Sequence, residues 1–224
     1  MPSLTVENYV KTIYSIAMNR GDRRSVATGE LAQALAVSPG TVTGMLKTLS
    51  EAELATYTPY EGARLTTAGE KLALAVLRRH RLLELFLSQT LAMSWDEVHE
   101  EAEHLEHAVS DRLVDRIDAY LGNPSVDPHG DPIPQADGSL SQTSGEPLSR
   151  LLSGSRFRLA RVVEQGPSFL RYLSECGLDL GVEGRLLENR PESGAIIVQV
   201  GQNSVALGHE TATKLLVTPL DVTS

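Results

Sequence analysis

Two short stretches hold most of the metal-ligand chemistry this sequence offers. His80-Arg81-Leu82-Leu83-Glu84 sets an imidazole and a carboxylate one helical turn apart. Val98-His99-Glu100-Glu101-Ala102-Glu103-His104-Leu105-Glu106-His107 is dense in the same two types. At 100° per residue, with His99 at zero, Glu103 falls at about 40°, Glu106 at about −20° and His107 at about 80°. The four share a helix face roughly 100° wide. A Glu-rich helix is ordinarily a solvated face, yet carboxylates crowded into a turn and a half repel one another unless a cation neutralises them. Spacing alone leaves both readings open.

The elements that must position these side chains are legible from periodicity and punctuation. Residues 7–18 place Tyr9, Val10, Ile13, Tyr14 and Ile16 at helical spacing, and Asn19-Arg20-Gly21-Asp22 ends that helix. Thr28–Leu35 reads as a short helix capped by Thr28. Pro39–Leu49 reads as a second, with Ser38 as N-cap and Pro39 in the first turn. Leu54–Thr58 and Arg64–Thr67 flank Pro59-Tyr60-Glu61-Gly62-Ala63, the pattern of a hairpin. Helix, short helix, turn, helix and hairpin make a winged helix-turn-helix. A long helix is expected from Thr67 to about Thr90, and one or two more across Ser94–Tyr120. Residues 122–149 are rich in Gly, Pro, Ser and Asp and read as a linker or irregular arm. Beyond them, Arg158–Val163, Arg185–Leu187, Ala195–Val200, Ser204–Leu207 and Lys214–Pro219 look like short strands, interrupted by a helix at Ser168–Glu175. Such a series implies a small barrel.

The expected class is α+β, in four segments: a winged helix-turn-helix at 1–70, a helical segment carrying the candidate metal ligands at 71–124, a linker at 125–148, and a small β-barrel at 149–224. With 224 residues, 41% of them hydrophobic, there is material for more than one core. The lone Cys176 excludes a disulfide framework and a Cys-clustered zinc site. The absence of a basic-then-apolar leader or a long apolar run points to a cytoplasmic protein without a membrane span. The net charge of −9 hides an asymmetry: residues 1–82 carry +3, residues 83–124 carry −8 and residues 125–224 carry −4. A basic head beside a very acidic middle suits one segment for nucleic acid and the next for cations.

The His80–Glu84 string, the 98–107 string and the following Ser110-Asp111 resemble the metal-site signature of the diphtheria-toxin-repressor family of iron/manganese-dependent transcriptional regulators. The resemblance spans nearly the whole chain, including Glu7-Asn8-Tyr9-Val10-Lys11-Thr12-Ile13-Tyr14, Asp131-Pro132-Ile133-Pro134 and a C-terminal SH3-like (FeoA-like) domain. It implies a cytoplasmic homodimer that binds a palindromic double-stranded operator and represses metal-uptake genes when metal is bound. By the same resemblance, DNA binding falls to 1–70, metal binding and dimerisation to 71–124, and an SH3-like fold to 149–224. It also implies two metal sites per subunit. One uses His80, Glu84 and His99; the other uses Asn8, Glu103, Glu106 and His107. Glu164 and Gln165 are candidates to reach the first site from the barrel. Iron-type members commonly carry Cys and Met where this chain has Glu103 and Asn8; manganese-type members carry Glu and Asp. Carboxylate in place of thiolate favours harder ions, so Mn²⁺ is expected, with Fe²⁺ the alternative. Lys11 stands where some manganese-type members have a further carboxylate, and it cannot ligate.

For DNA, the exposed face of the second short helix offers Ser38, Pro39, Gly40, Thr41, Thr43 and Lys47. Its N-terminus favours phosphate, and its small hydroxyls make modest base contacts. Arg23, Arg24, Lys47 and Arg64 are candidate phosphate contacts, with Tyr60 and Arg64 on the wing. Dimerisation is expected on the 67–120 helices through Leu72, Leu82, Leu83, Leu85, Phe86 and Leu87. Two other classes compete: a metal-dependent hydrolase, against which stands the lack of a nucleophile motif or Gly-rich phosphate loop, and a winged-helix regulator with an organic effector.

Overall fold

α1 (Leu4–Arg20) is followed by α2 (Thr28–Ala34), α3 (Pro39–Glu51) and a hairpin of β1 (Ala55–Thr58) and β2 (Gly62–Leu65). The computed structural model describes residues 3–20, 24–141, 145–190 and 194–220. Ser38 caps α3 as expected, its hydroxyl accepting from Thr41 N at 3.1 Å. α2 differs. Its N-cap is Ala27, whose amide donates to the Glu30 carboxylate at 2.8 Å. Glu30 supplies the cap from inside the helix, so Thr28 is not needed in that role. The core of this region joins Tyr9, Val10 and Ile13 of α1 to Leu31, Val42, Leu46, Leu49, Ala55 and Ala63.

The wing is tied down by its backbone. Val26 N donates to Ala63 O at 2.8 Å, and Ala63 N returns to Val26 O at 2.9 Å. Gly62 makes that approach possible: its φ is +96°, and a Cβ there would lie 2.3 Å from Val26 O. Gly62→Ala is therefore expected to cost about 1–3 kcal/mol through the left-handed backbone alone, with more from the displaced wing. Thermal unfolding of the metal-free protein measures it.

α4 (Thr67–Leu91) follows the wing, then α5 (Val98–Leu105) and α6 (Asp111–Tyr120). α5 ends at Leu105, so Glu106 and His107 stand on a turn and not on one continuous face with His99. Leu82, Leu83, Leu85 and Leu87 are buried within the single chain. These four build the subunit's own core, whereas Leu72 and Phe86, expected at the same dimer face, are half-buried. Exposed large apolar side chains on these helices are Leu91, Leu105, Leu113 and Tyr120.

The C-terminal region is a six-stranded sheet in the order β3-β8-β4-β5-β6-β7, with β3 (Glu146–Pro147), β4 (Arg156–Val162), β5 (Glu183–Arg190), β6 (Ala195–Val200), β7 (Asn203–Gly208) and β8 (Leu215–Leu220). All of its pairings are antiparallel. α7 (Pro167–Glu175) and α8 (His209–Thr213) complete it. Phe157, Leu159, Leu170, Leu173, Leu186, Val198 and Val217 lie in its core. The Arg158–Val163, Ala195–Val200, Ser204–Leu207 and Lys214–Pro219 strands and the 168–175 helix stand within a residue or two of expectation, and β5 is longer than expected.

The 125–133 segment is irregular, as its composition suggests, but it is packed. Asp127, His129, Asp131 and Ile133 are all buried. Its backbone is satisfied locally: Asp127 Oδ1 accepts from His129 N at 2.8 Å and Asp131 N at 2.9 Å, and Ile133 N donates to Ser125 O at 2.9 Å. A loop that pairs its own amides through a carboxylate can be buried with those backbone groups satisfied. Gly130 (φ +85°) lets the loop seat on β4, since a Cβ would fall 2.1 Å from Ala160 O.

Backbone packing groups the chain into two units. The first comprises 1–80, 106–109 and 134–139; the second comprises 81–105, 110–133 and 140–224. Among the described residues no helix is long and apolar enough to cross a membrane.

Candidate metal centres

In the first unit, ligand-type side chains converge from α1, from α4 and from the turn after α5. α1 supplies Glu7, Asn8 and Lys11, and α4 supplies Arg79 and His80. His107 Nδ1 lies 2.7 Å from Glu7 Oε2, and its Nε2 lies 2.7 Å from Asn8 Oδ1 and 3.0 Å from Glu106 Oε1. Glu106 is fully buried. It accepts from Lys11 Nζ at 2.6 Å and faces His80 Nδ1 at 2.7 Å. Burial works against its charge, but His80 and Lys11 outweigh it and hold the carboxyl below its ordinary pKa. Asn8, Glu106 and His107 are thus brought together. His80 joins Glu106, a pairing that the spacing of His80 and Glu84 did not suggest.

Glu7 joins this convergence although its position in the sequence gives no sign of it. Its carboxylate meets His107 Nδ1 and is itself held by Arg79 at 3.2 Å. A carboxylate on one imidazole nitrogen fixes the ring and leaves the other nitrogen to face Asn8 and Glu106, the usual support of a metal-binding histidine. Asn8 is five residues into α1, which begins at Leu4, so it does not cap that helix.

The second unit holds another convergence, built around Glu84. Glu84 Oε1 lies 3.0 Å from His99 Nδ1, and Glu84 Oε2 lies 3.8 Å from His129 Nδ1. Glu84, Asp127 and His129 each offer a ligand atom, all within 4.8 Å of one another, and all three are buried. His99 also faces Glu103 across a helical turn at 3.9 Å. The donor chemistry suits a divalent cation. His129 Nδ1 is buried with no hydrogen-bond partner, while its Nε2 is bonded to Trp95 O at 2.8 Å. Burial would lower the His129 pKa, but Glu84 and Asp127 raise it to about 9. Burial, together with Glu84 and Asp131, pushes Asp127 up to about 7 against the pull of His129 and Arg81. In the metal-free chain the His129 proton supplies the positive charge that Glu84 and Asp127 face, and a divalent ion would take its place.

Asp127 and His129 were not among the expected ligands. The available signal was the alternation Asp127-Pro128-His129-Gly130-Asp131, ligand types at every second position of a segment that composition assigned to a linker. Conversely, Gln165 donates to Asp131 at 3.0 Å, where Arg161 and Arg81 also bind, and Glu164 pairs with Lys214 at 2.8 Å. These contacts give both residues polar partners in the metal-free chain.

On the DNA side, Ser38, Pro39, Gly40, Thr41 and Lys47 are exposed on α3, and Thr43 is half-buried with its hydroxyl donating to Pro39 O at 2.9 Å. Arg24 and Arg64 are exposed, and Tyr60 stands fully exposed at the wing tip. Arg23 lies outside the described residues.

Three family models match in succession: "Iron dependent repressor, N-terminal DNA binding domain" over 1–63, "Iron dependent repressor, metal binding and dimerisation domain" over 66–135, and "FeoA domain" over 146–219. The iron-dependent repressor IdeR of Mycobacterium leprae (strain TN) is 29% identical over 220 residues, covering 93% of this chain and 94% of that protein. The HTH-type transcriptional regulator MntR of Lysinibacillus sphaericus (strain C3-41) is 32% identical over 130 residues, 56% of this chain and 91% of that protein. A solved manganese-dependent transcriptional repressor in complex with manganese superposes with a TM-score of 0.87 at 39% identity, covering 96% of this chain and all of that one.

Proposed function

The chain belongs to the iron-dependent repressor family of metal-dependent, DNA-binding transcription regulators, and from that premise we propose that it is a Mn²⁺-responsive repressor of metal-uptake genes acting in the cytoplasm. One centre would use Asn8, Glu106 and His107. The other would use Glu84, Asp127 and His129, with His99 on the second oxygen of Glu84. Nitrogen and hard oxygen donors without thiolate favour Mn²⁺, with Fe²⁺ the alternative. The observation that carries the reading is the meeting of His107 with Asn8 and Glu7, because it joins the ligand turn to the first helix of the DNA-binding head. When bound, the ion supplies a charge that Asn8, Glu106 and His107 share. Those residues then hold α1 in one arrangement, and only a difference in affinity between arrangements shifts the population.

The head would contact operator phosphates through Arg23, Arg24, Lys47 and Arg64, and bases through the Ser38–Thr43 face of α3, with Tyr60 entering from the wing. Two heads on a palindrome require a dimer, whose face we place on the exposed Leu91, Leu113 and Tyr120. The domain division at 1–70, 71–124 and 149–224 is proposed to follow these roles, with 125–148 serving as a packed connection. Anaerobic titration of the metal-free protein with Mn²⁺ and Fe²⁺, read by retention of a palindromic duplex pool, tests the function. Retention that ignores both ions sinks it.

Asn8 gives a sharper result. Asn8→Ala is expected to weaken activation more than metal binding, because Glu106 and His107 still hold the ion. Asn8→Asp is expected to tighten Mn²⁺ binding, an ionised oxygen being the stronger ligand for a hard cation. The metal concentration at half-maximal duplex binding checks both, and no shift in either variant refutes the linking role.

A further inference from the structure

The Glu84, Asp127 and His129 side chains are 1%, 2% and 0% exposed as residues, so an ion that reaches them must pass something that moves. Beside them lies a cleft of about 730 Å³, lined among others by Ser94, Trp95, Asp127, Ser174 and Asp179. Asp127 is the one residue common to this cleft and the buried cluster. Trp95, the sole tryptophan of the chain, stands between them. Its ring stacks on the His129 imidazole with centroids 6.1 Å apart and planes 15° from parallel. Its carbonyl accepts from His129 Nε2, which fixes the ring so that Nδ1 faces Glu84 and Asp127.

The indole is held from the C-terminal region. Trp95 Nε1 donates to Ser174 Oγ at 3.0 Å, and that hydroxyl donates onward to Asp179 Oδ1 at 3.0 Å. Ser174 lies on α7 and Asp179 on the loop after it. The neighbouring Arg171 of α7 pairs with Asp96 at 2.9 Å, so the Trp95-Asp96 corner is pinned at two points. The imidazole is clamped through the backbone, whereas the indole covering it hangs on a single solvent-facing hydrogen bond to α7.

We propose that Trp95 is the gate of the buried Glu84–Asp127–His129 centre and that Ser174 of α7, oriented by Asp179, is its latch, so that the C-terminal region sets how fast a divalent ion enters and leaves. This rests on the reading of that centre as a metal site. The indole swings toward the cleft by giving up the bond to Ser174, while its backbone carbonyl keeps His129 in place. Asp179 puts a negative charge on the exposed part of the passage, which draws a cation in. Since the latch touches no ligand, it changes both rates and leaves the equilibrium alone.

The sole tryptophan is its own reporter, because paramagnetic Mn²⁺ held beside His129 quenches it. Full-length protein is mixed with excess Mn²⁺ in a stopped-flow fluorimeter, and dissociation is followed with a chelator. Ser174→Ala, at an exposed position where folding is unaffected, is expected to speed entry and exit alike by about threefold to tenfold, as expected from the loss of one exposed hydrogen bond. Its dissociation constant for Mn²⁺ stays within twofold of the parent. Trp95→Phe, followed through the EPR signal of free Mn²⁺, shows the same acceleration. Unchanged rates in both variants overturn the gate, as does a change in exit alone with matching loss of affinity. His129→Ala separates the two levels: if the quenching phase survives it, the centre itself is misassigned. If His129→Ala abolishes the phase while Ser174→Ala leaves its rate untouched, the gate alone falls.

Discussion

Glu106→Ala is expected to cost the DNA-binding unit about 3–5 kcal/mol of stability and to abolish metal-dependent duplex binding. The carboxylate is wholly buried and faces Lys11 at 2.6 Å, His80 at 2.7 Å and His107 at 3.0 Å. Alanine removes a carboxylate that these three groups share and opens a cavity beside the nearly buried Lys11 ammonium. The cost is that of a buried cation losing its carboxylate, which exceeds what the intact ion pair itself contributes. Glu106→Gln keeps the volume and the hydrogen-bond acceptor, so its stability cost is smaller, about 1–3 kcal/mol. It still loses the charge that would face the ion. Urea unfolding of the metal-free proteins and Mn²⁺-dependent duplex binding therefore read different things. Alanine fails both; glutamine is damaged chiefly in the second. Equal metal response in Glu106→Gln and the parent would remove Glu106 from the centre.

The head was legible in the sequence because its elements are local. Val42, Met45, Leu46 and Leu49 keep helical spacing behind a serine cap and a first-turn proline, and α3 stands where those signals put it. Thr28 does not cap α2, because the helix already includes it: Ala27 is the N-cap, and Glu30 reaches back to Ala27 N. The single helix face expected for the acidic stretch holds for His99 and Glu103. Beyond Leu105 the wheel no longer applies, since Glu106 and His107 meet partners on α1 about 95 to 100 residues away in sequence. Periodicity within a segment carries no information about such partners. The 125–133 loop shows the same limit. Pro, Gly and Asp mark it as irregular, and it is; that it is buried depends on Asp127 satisfying two amides and on Gly130 fitting against β4. Composition reports how a chain turns and is silent on what covers it.

The buried centre in the second unit has the other large expected effect, a loss of stoichiometry together with a pH slope. His129→Ala should reduce Mn²⁺ from two ions per chain to one. Asp127→Asn should weaken the same ion while sparing the loop, since an amide oxygen still accepts from His129 N and Asp131 N. The pH dependence follows from the raised pKa values of the metal-free protein, about 9 for His129 and about 7 for Asp127. Below about 9 an ion must displace the His129 proton, and below about 7 it must increasingly displace one from Asp127 as well. Protons and metal therefore compete, and affinity falls as pH falls. The slope is about one decade per pH unit between the two values, approaches about two decades below the lower one and vanishes above the higher one, each proton contributing tenfold per unit. Titration in weak buffer at pH 6, 8 and 10 reads the released protons directly. In His129→Ala the proton release of this centre disappears along with its ion, whereas Asn8→Ala leaves it intact. A flat affinity from pH 6 to 9 in the parent would mean that His129 does not ligate, and Glu84 would then belong with His99 alone.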